Sequence, residues 1–541
     1  MSRVPRTAVL AVALLSAPLF FSACKRGDAP ASAVTTGKKI LRIGNGTEPQ
    51  ELDPHVVSGV PEHHIISALL EGLVTDAPEG AGVAPGVAES WEISPDGLVY
   101  VFHLRANARW SNGDPVTSRD FARSFQRILT PSLAAEYAYK LFHLVNAEAY
   151  YNGGLSDFSK VGVETPDART LVLRLAHRTP FLLEALKHFA WFPVHIATLE
   201  KFNALDRRGT RWTRPGSFVG NGPFTLAEWL PNQKITVEKS ATYWDAAATR
   251  LDAIEFHAID NPDSEERLFR TGRLDATSTL PLNKTRIYRE KHPESYRQSP
   301  YYGVYYYRLN TTRPPLNDRR VRLALAIALD REAIVENILR AGQTPAYNFT
   351  PPSPKFTSRA SIPRDLALAR ELLAEAGYPG GKNFPRMEIL YNTSESHRVI
   401  AEALQQMWRE NLGIAVELNN QEWQTYLGTT RAMEYDMSRA GWIGDYDDPN
   451  TFLDLWLTGG GNNQTGFSNA GYDAAHAAAL NAPDEATRMA LFQKLEQILA
   501  EEVPCLPLYF YTRVCAISPR VKNWNANPLD TRNWKHVDLA P

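Results

Sequence analysis

Cysteine is nearly missing from this sequence: there are three in 541 residues, with six methionines beside them. A disulfide-stapled scaffold is excluded, so stability has to come from buried apolar cores. Cys505 and Cys515 are expected in or beside a strand, where ten extended residues span about 33 Å, too far for one to bridge the other. Neither sign of charge dominates, since 58 Lys and Arg meet 60 Asp and Glu with no long run of either. Nucleic-acid binding through a basic face has no support. Catalytic signatures are lacking too. There is no GxSxG elbow, P-loop or GxGxxG, and no CxxC, HExxH or EF-hand spacing, so no enzyme, metal or cofactor is indicated. The 13 histidines are scattered, and only His63 and His64 are adjacent.

Long apolar runs are confined to the start of the chain. Ala8 to Phe21, 14 residues preceded by Arg3 and Arg6, has the layout of a signal peptide. Ser16 and Pro18 interrupt it, and it falls short of the roughly 20 apolar residues a spanning helix needs. It ends in Phe21-Ser22-Ala23-Cys24, which resembles the lipobox of bacterial lipoproteins, with Phe21 where that pattern usually has Leu. The expectation is cleavage of residues 1–23 and lipidation of Cys24; ordinary signal cleavage, with Cys24 incidental, is the alternative. Residues 24–38 are small and polar and read as a flexible tether.

Beyond the tether, 44% apolar and 22% charged residues are enough for about three packed units, arranged as two lobes. Lys39 to Gly44 reads as a strand, and Glu62 to Leu73 sets Ile65, Ile66, Leu69, Leu70 and Leu73 on one helical face. Leu98 to Leu104, Leu171 to Leu175 and Ile235 to Glu238 read as strands, and Ser118 opens a helix. Asp318 to Arg340 and Asp365 to Ala376 are expected as helices. Met387 to Tyr391, Glu395 to Asn411 and Gly413 to Asn419 then form a β-α-β unit with parallel strands, which makes the later half α/β.

The chemically informative segment is Arg439-Ala440-Gly441-Trp442-Ile443-Gly444-Asp445-Tyr446-Asp447-Asp448. On composition alone it is a solvated acidic loop anchored by Trp442, a poorly spaced calcium loop, or a site for a zwitterion. In the last reading Asp445 neutralises an ammonium, Arg439 a carboxylate, and the glycines admit a ligand backbone.

At this point the chain closely resembles the periplasmic oligopeptide-binding proteins, the solute-binding subunits of ATP-driven peptide importers. Similar stretches recur in order, among them Leu52-Asp53-Pro54-His55, Ala88-Glu89-Ser90-Trp91, Trp110-Ser111-Asn112-Gly113, Pro314-Pro315-Leu316-Asn317-Asp318, Tyr391-Asn392-Thr393-Ser394 and Asn420-Gln421-Glu422-Trp423. The resemblance implies an α/β, two-lobed periplasmic-binding-protein fold (class II-like) with an extra domain inserted in lobe I. Lobe I would be 39–70, 197–302 and 513–541, the extra domain 71–196 and lobe II 303–512, with the ligand engulfed between the lobes. It also implies a monomer, lipid-anchored in the periplasm, that captures peptides of about three to five residues and passes them to an ABC permease without a cofactor. Binding of dipeptides, murein peptides, nickel or haem is the runner-up, and a peptidase on the same scaffold a distant third.

Carried over by position, the resemblance gives Asp445 to the peptide α-ammonium, and Arg439 and His397 to α-carboxylates of different ligand lengths. Val60, Tyr137, Gly441, Trp442 and Tyr511 surround the ligand, and Trp423 lines a side-chain pocket. The chain also departs from the pattern. Gly303 and Ile443 stand where enterobacterial members carry a disulfide. A second carboxylate-binding arginine aligns with Thr430, leaving its neighbour Arg431 as the candidate. Arg308 and Ser58 replace acidic residues, and Ser278 and Thr279 replace a pocket tyrosine and asparagine. Side-chain preference is therefore expected to shift toward less basic peptides.

Overall fold

The structure is a computed structural model that describes residues 37–78, 82–525 and 527–540. The signal-peptide run, Cys24 and nearly all of the tether lie outside the described residues. From Lys39 onward the elements begin with β1 (Ile40–Gly44), α1 (Val60–Leu69), β2 (Ala88–Ile93), β3 (Val99–Leu104), α2 (Ser118–Ile128), β4 (Val163–Asp167) and β5 (Thr170–Arg174). They continue with β6 (Phe224–Leu230), β7 (Lys234–Lys239), β8 (Ala253–His257), the 14-residue β9 (Tyr296–Leu309), and α3 (Arg319–Ile327). The last are α4 (Leu366–Glu375), β10 (Met387–Asn392), α5 (Glu395–Leu412), β11 (Val416–Gln421), α6 (Trp423–Arg431), β12 (Met437–Ile443), α7 (Glu485–Glu502) and β13 (Cys505–Ala516).

Three larger sheets organise these elements. One has the order β1-β8-β7-β6, with β1 parallel to β8. A second, β2-β3-β5-β4, is antiparallel throughout. The third has six strands: a short one at Thr344–Pro345, then β13, β9, β12, β10 and β11. In it β10 and β11 run parallel from Met387↔Val416 to Asn392↔Gln421, joined by α5, as the spacing of their apolar residues predicts. The whole is a two-lobed α/β fold. Strand alternation splits the six-stranded sheet between two cores. Val304, Tyr306 and Trp442 join the core shared with the two four-stranded sheets, whereas Tyr305, Tyr307, Leu309 and Met437 pack with α3, α4 and α5.

Some boundaries differ from the sequence reading. The first helix ends at Leu69, not Leu73, because Gly222 N–H donates to Leu69 O at 3.0 Å and Asn221 Oδ1 accepts from Glu71 N–H at 3.0 Å, drawing the chain out into an extended path. The single helix expected over 318–340 is split. Asp318 caps α3, and Asp330 caps a new turn by accepting from Ala333 N–H at 2.9 Å, after which Ile334–Leu339 winds as a π-helix. Gly413 does not open a strand. It closes α5 in the left-handed region at φ 70°, and β11 starts at Val416.

Strands β9 and β13 extend past the six-stranded sheet. Tyr296–Pro300 pairs with Thr512–Ala516, and the register then breaks before Val304 meets Phe510. Isolated bridges carry on from Ile517 to Ala276 and from Ala276 to Ile43 of β1. These two long strands thus tie the six-stranded sheet to the β1 sheet. Both Cys505 and Cys515 lie on β13, buried and free.

Candidate functional site

Strand β12 is paired on one side with β9 along its full length, from Leu309↔Met437 to Gly303↔Ile443. On the other side β10 covers only Met437 and Ser438. Among the described residues Arg439 to Ile443 therefore present an edge with no partner strand. The Arg439 carbonyl accepts from the Tyr426 hydroxyl, so it points away from β9, and the period of two puts the backbone groups of Gly441 and Ile443 on the same open edge.

That edge borders two cavities. The one of about 1130 Å³ reaches Asp445 and is also lined by Tyr137 and Trp442. The one of about 1140 Å³ reaches His397 and takes in Tyr511, Ser278 and Thr279. Val60, Trp423, Arg439 and Gly441 belong to the walls of both. All but one of the cleft residues expected from the sequence thus meet here, and the exception is Arg431. Its guanidinium sits on Glu136 at 2.5 Å and on Gln50 Oε1 at 3.0 Å, and it lines neither cavity. Glu136 is buried and holds it there. The family position beside it, Thr430, does line the Asp445 cavity.

Asp445 is not a bare carboxylate. Lys140, which sequence reasoning did not single out, sets its ammonium 2.6 Å from Asp445 Oδ2, with side chains only 3% and 10% exposed. The cation is framed by the rings of Tyr137, Tyr139 and Tyr446 at 5.0, 5.1 and 5.3 Å. His188 completes the set, its Nε2 3.3 Å from Oδ1. Burial holds this ring below the ordinary histidine value. Its Nδ1 accepts from Ala190 N–H at 3.2 Å, so the single proton of the neutral ring is on Nε2 and points at the carboxylate. Burial opposes ionisation of Asp445, yet Lys140 and His188 outweigh it and hold the carboxyl well below its usual range. A lone lysine in the aromatic run Tyr137-Ala138-Tyr139-Lys140-Leu141 is the sequence signal that marks it.

Arg439 faces the cleft without an acidic partner among the described residues. Its Nη2 donates to the Tyr511 hydroxyl at 3.0 Å, its Nη1 to Asn392 Oδ1 at 3.4 Å, and its guanidinium lies 4.7 Å from the Tyr305 ring centroid. Nε is buried with no acceptor. Gly441 protects this arrangement, since a Cβ there would stand 2.5 Å from the Tyr511 hydroxyl and 3.3 Å from Arg439 Nη2. His397 is 3.3 Å from the Tyr305 hydroxyl through Nδ1. Burial, reinforced by the Arg439 charge, drives its value well below the ordinary one, so it is neutral rather than the second cation the sequence suggests. Among the described residues no three His, Cys, Asp or Glu side chains cluster so as to hold a metal ion.

With this geometry in place, comparison with known proteins gives a consistent result. Residues 82–464 match the family described as bacterial extracellular solute-binding proteins, family 5 Middle. The periplasmic oligopeptide-binding protein OppA of Escherichia coli is 36% identical over 98% of this chain and 99% of its own length. Haemophilus influenzae OppA in complex with the peptide RPPGFSPFR superposes with a TM-score of 0.88 at 35% identity, over 93% of this chain and 99% of that one. The Escherichia coli murein tripeptide binding protein MppA, 36% identical, gives 0.88 in one structure, covering 93% of this chain and 99% of that one. In its unliganded open form it gives 0.63, covering 93% and 98%. The same relative thus fits well in one lobe arrangement and poorly in the open one, so the chain here has its lobes drawn together.

Proposed function

Because the chain belongs to family 5 of the bacterial extracellular solute-binding proteins, a family of binding proteins and not of enzymes, we propose that it captures short peptides, of about three to five residues, for an ABC importer. The carrying observation is the open edge of β12, with the guanidinium of Arg439 at its start and the carboxylate of Asp445 two residues past its end. An extended peptide adds to such an edge through backbone groups that every peptide has, so affinity needs no particular side chain. In this reading Arg439 receives the α-carboxylate, His397 that of longer ligands, and Asp445, shared with Lys140, the α-ammonium. Side chains enter the spaces beside Trp423, Ser278 and Thr279.

The lobes are proposed to part at the register break between Pro300 and Val304 and its counterpart on β13, where these two strands link the sheets. Lobe I is then residues 39–70, 197–302 and 513–541, the extra domain 71–196 and lobe II 303–512. The protein is proposed to act as a periplasmic monomer held to a membrane by lipid on Cys24, within reach of its permease. Calorimetry with tri-, tetra- and pentapeptides, run beside small-angle scattering, tests the reading. Saturable binding with compaction of an open unliganded state is expected. No binding by any peptide, or binding with unchanged dimensions in a protein that starts open, would overturn it.

A further inference from the structure

The ionisable groups around the Asp445 cavity are unequally satisfied. Its carboxylates already hold cations: Asp445 pairs with Lys140, and Asp530 pairs with Arg532 and, at 3.4 Å, with Arg513. The wall lysine, Lys187, is likewise paired, with Asp76 at 2.8 Å and Glu184 at 2.7 Å. The two wall arginines differ. Arg439 has only neutral partners, and Arg308 has no carboxylate beside it among the described residues; the Tyr306 ring lies beside it, and Arg439 acts on it as a like charge. It stands on β9 half-buried, its guanidinium 5.9 Å from the Tyr306 ring centroid. The cavity therefore offers two uncompensated cations and no uncompensated carboxylate.

A peptide's terminal carboxylate satisfies one of them. From this imbalance we propose that Arg308 is a subsite for a second anionic group, the carboxylate of an acidic side chain, so that the side chain entering this cavity is selected as acidic over neutral and basic. The inference rests on the peptide-binding reading and names the ligand's side-chain class. A guanidinium removed from bulk water and lacking a counter-ion gains most from a carboxylate, which it grips through two parallel N–H···O bonds. A lysine side chain at the same place meets Arg308 and Arg439 as like charges, with no carboxylate free to receive it. Thr430 and Ser58, both on the cavity wall, are short and uncharged and leave room for such a side chain.

The test is calorimetry with trialanine and with alanine tripeptides carrying Glu, Gln or Lys at each of the three positions. In the wild type one position is expected to prefer Glu over Gln by roughly 10- to 100-fold, the range of a charge-assisted hydrogen bond, and to reject Lys. Arg308→Met should bring the Glu-to-Gln ratio close to one while trialanine binds within a few-fold of wild type, which also reports that the variant is folded. Arg308→Glu should reverse the order in favour of Lys. If trialanine binds and Glu, Gln and Lys are equal at every position, the acidic subsite is wrong and peptide binding stands. If no tripeptide binds, peptide binding and the subsite fall together. If the preference for Glu survives Arg308→Met, another residue supplies the cation and the assignment to Arg308 is overturned.

Discussion

Lys140 and Asp445, 305 residues apart in the chain, form a buried ion pair of 2.6 Å at the end of the cleft where a ligand ammonium is expected. A carboxylate that already holds an ammonium is a weaker attractor for a second one, because the incoming charge meets the field of a neutral pair. The chain's own lysine thus weakens the pull that Asp445 would exert on a ligand ammonium if it stood alone.

The first prediction follows from that pair. In the wild type, a free and an N-acetylated tripeptide should differ in affinity by only a few-fold. Lys140→Met leaves Asp445 with only the neutral His188 N–H and no cation, and should widen the gap to roughly 10- to 100-fold in favour of the free amine. Adding Asp445→Asn should close it again. Calorimetry on the four combinations decides it, and an unchanged gap in Lys140→Met would remove Asp445 from the ammonium site.

Register is the subject of the second. Arg439 borders both cavities, and His397 only the one away from Asp445. Arg439→Ala and His397→Ala should weaken different members of a tri-, tetra- and pentapeptide series of one residue type. Arg439→Ala should cost about 2 to 5 kcal/mol for the length whose carboxylate it meets. Equal losses at all lengths would exclude separate carboxylate positions.

Protonation gives the third. With the lobes drawn together and no ligand present His397 is held neutral, its value pushed well below 6.5 by burial and by Arg439. A ligand carboxylate beside it favours the charged ring and raises that value. A proton is then taken up on binding, so affinity for those ligands should rise as pH falls through the raised value and fade as pH climbs past it. Ligands that reach only Arg439 should show no such proton uptake. Comparing binding heats in buffers of different ionisation enthalpy measures it, and His397→Gln should abolish the difference.

The fourth concerns stability. Asp53 lies fully buried, 2.5 Å from Arg127 Nη2 and 3.2 Å from Trp212 Nε1, with His55 N–H donating to it at 3.0 Å. Burial works against the charge, but Arg127 and His55 win and hold the carboxyl below its ordinary 3.8. Its contribution is present above 3.8 and is lost as pH falls through the lower folded value. Arg127→Ala strands this carboxylate and should destabilise by about 3 to 5 kcal/mol in denaturant unfolding. A loss below about 1 kcal/mol would mean that water replaces the guanidinium.

What the sequence determined by itself was local. The β-α-β unit over β10, α5 and β11 is legible because strand and helix patterns of apolar residues act over a few residues, although Gly413 reads there as the start of a strand and not as the close of α5, and the Arg439 to Asp445 segment stands out by its mixture of charge, aromatic rings and glycine. The splitting of 318–340 at Asp330 was missed because a helical stripe continues across it, while a cap is decided by one side-chain hydrogen bond. Tertiary structure alone decided which charges are free. Arg431 is the nearer candidate in sequence but is held by Glu136, whereas Arg308 is left facing the cleft, and His397 loses its charge to burial beside Arg439. Lys140 reaches Asp445 only because folding packs it there among three tyrosines. Residue type sets the charge a side chain can carry. Whether a ligand can use that charge depends on desolvation and on the nearest opposite charge, and both are properties of the packed chain.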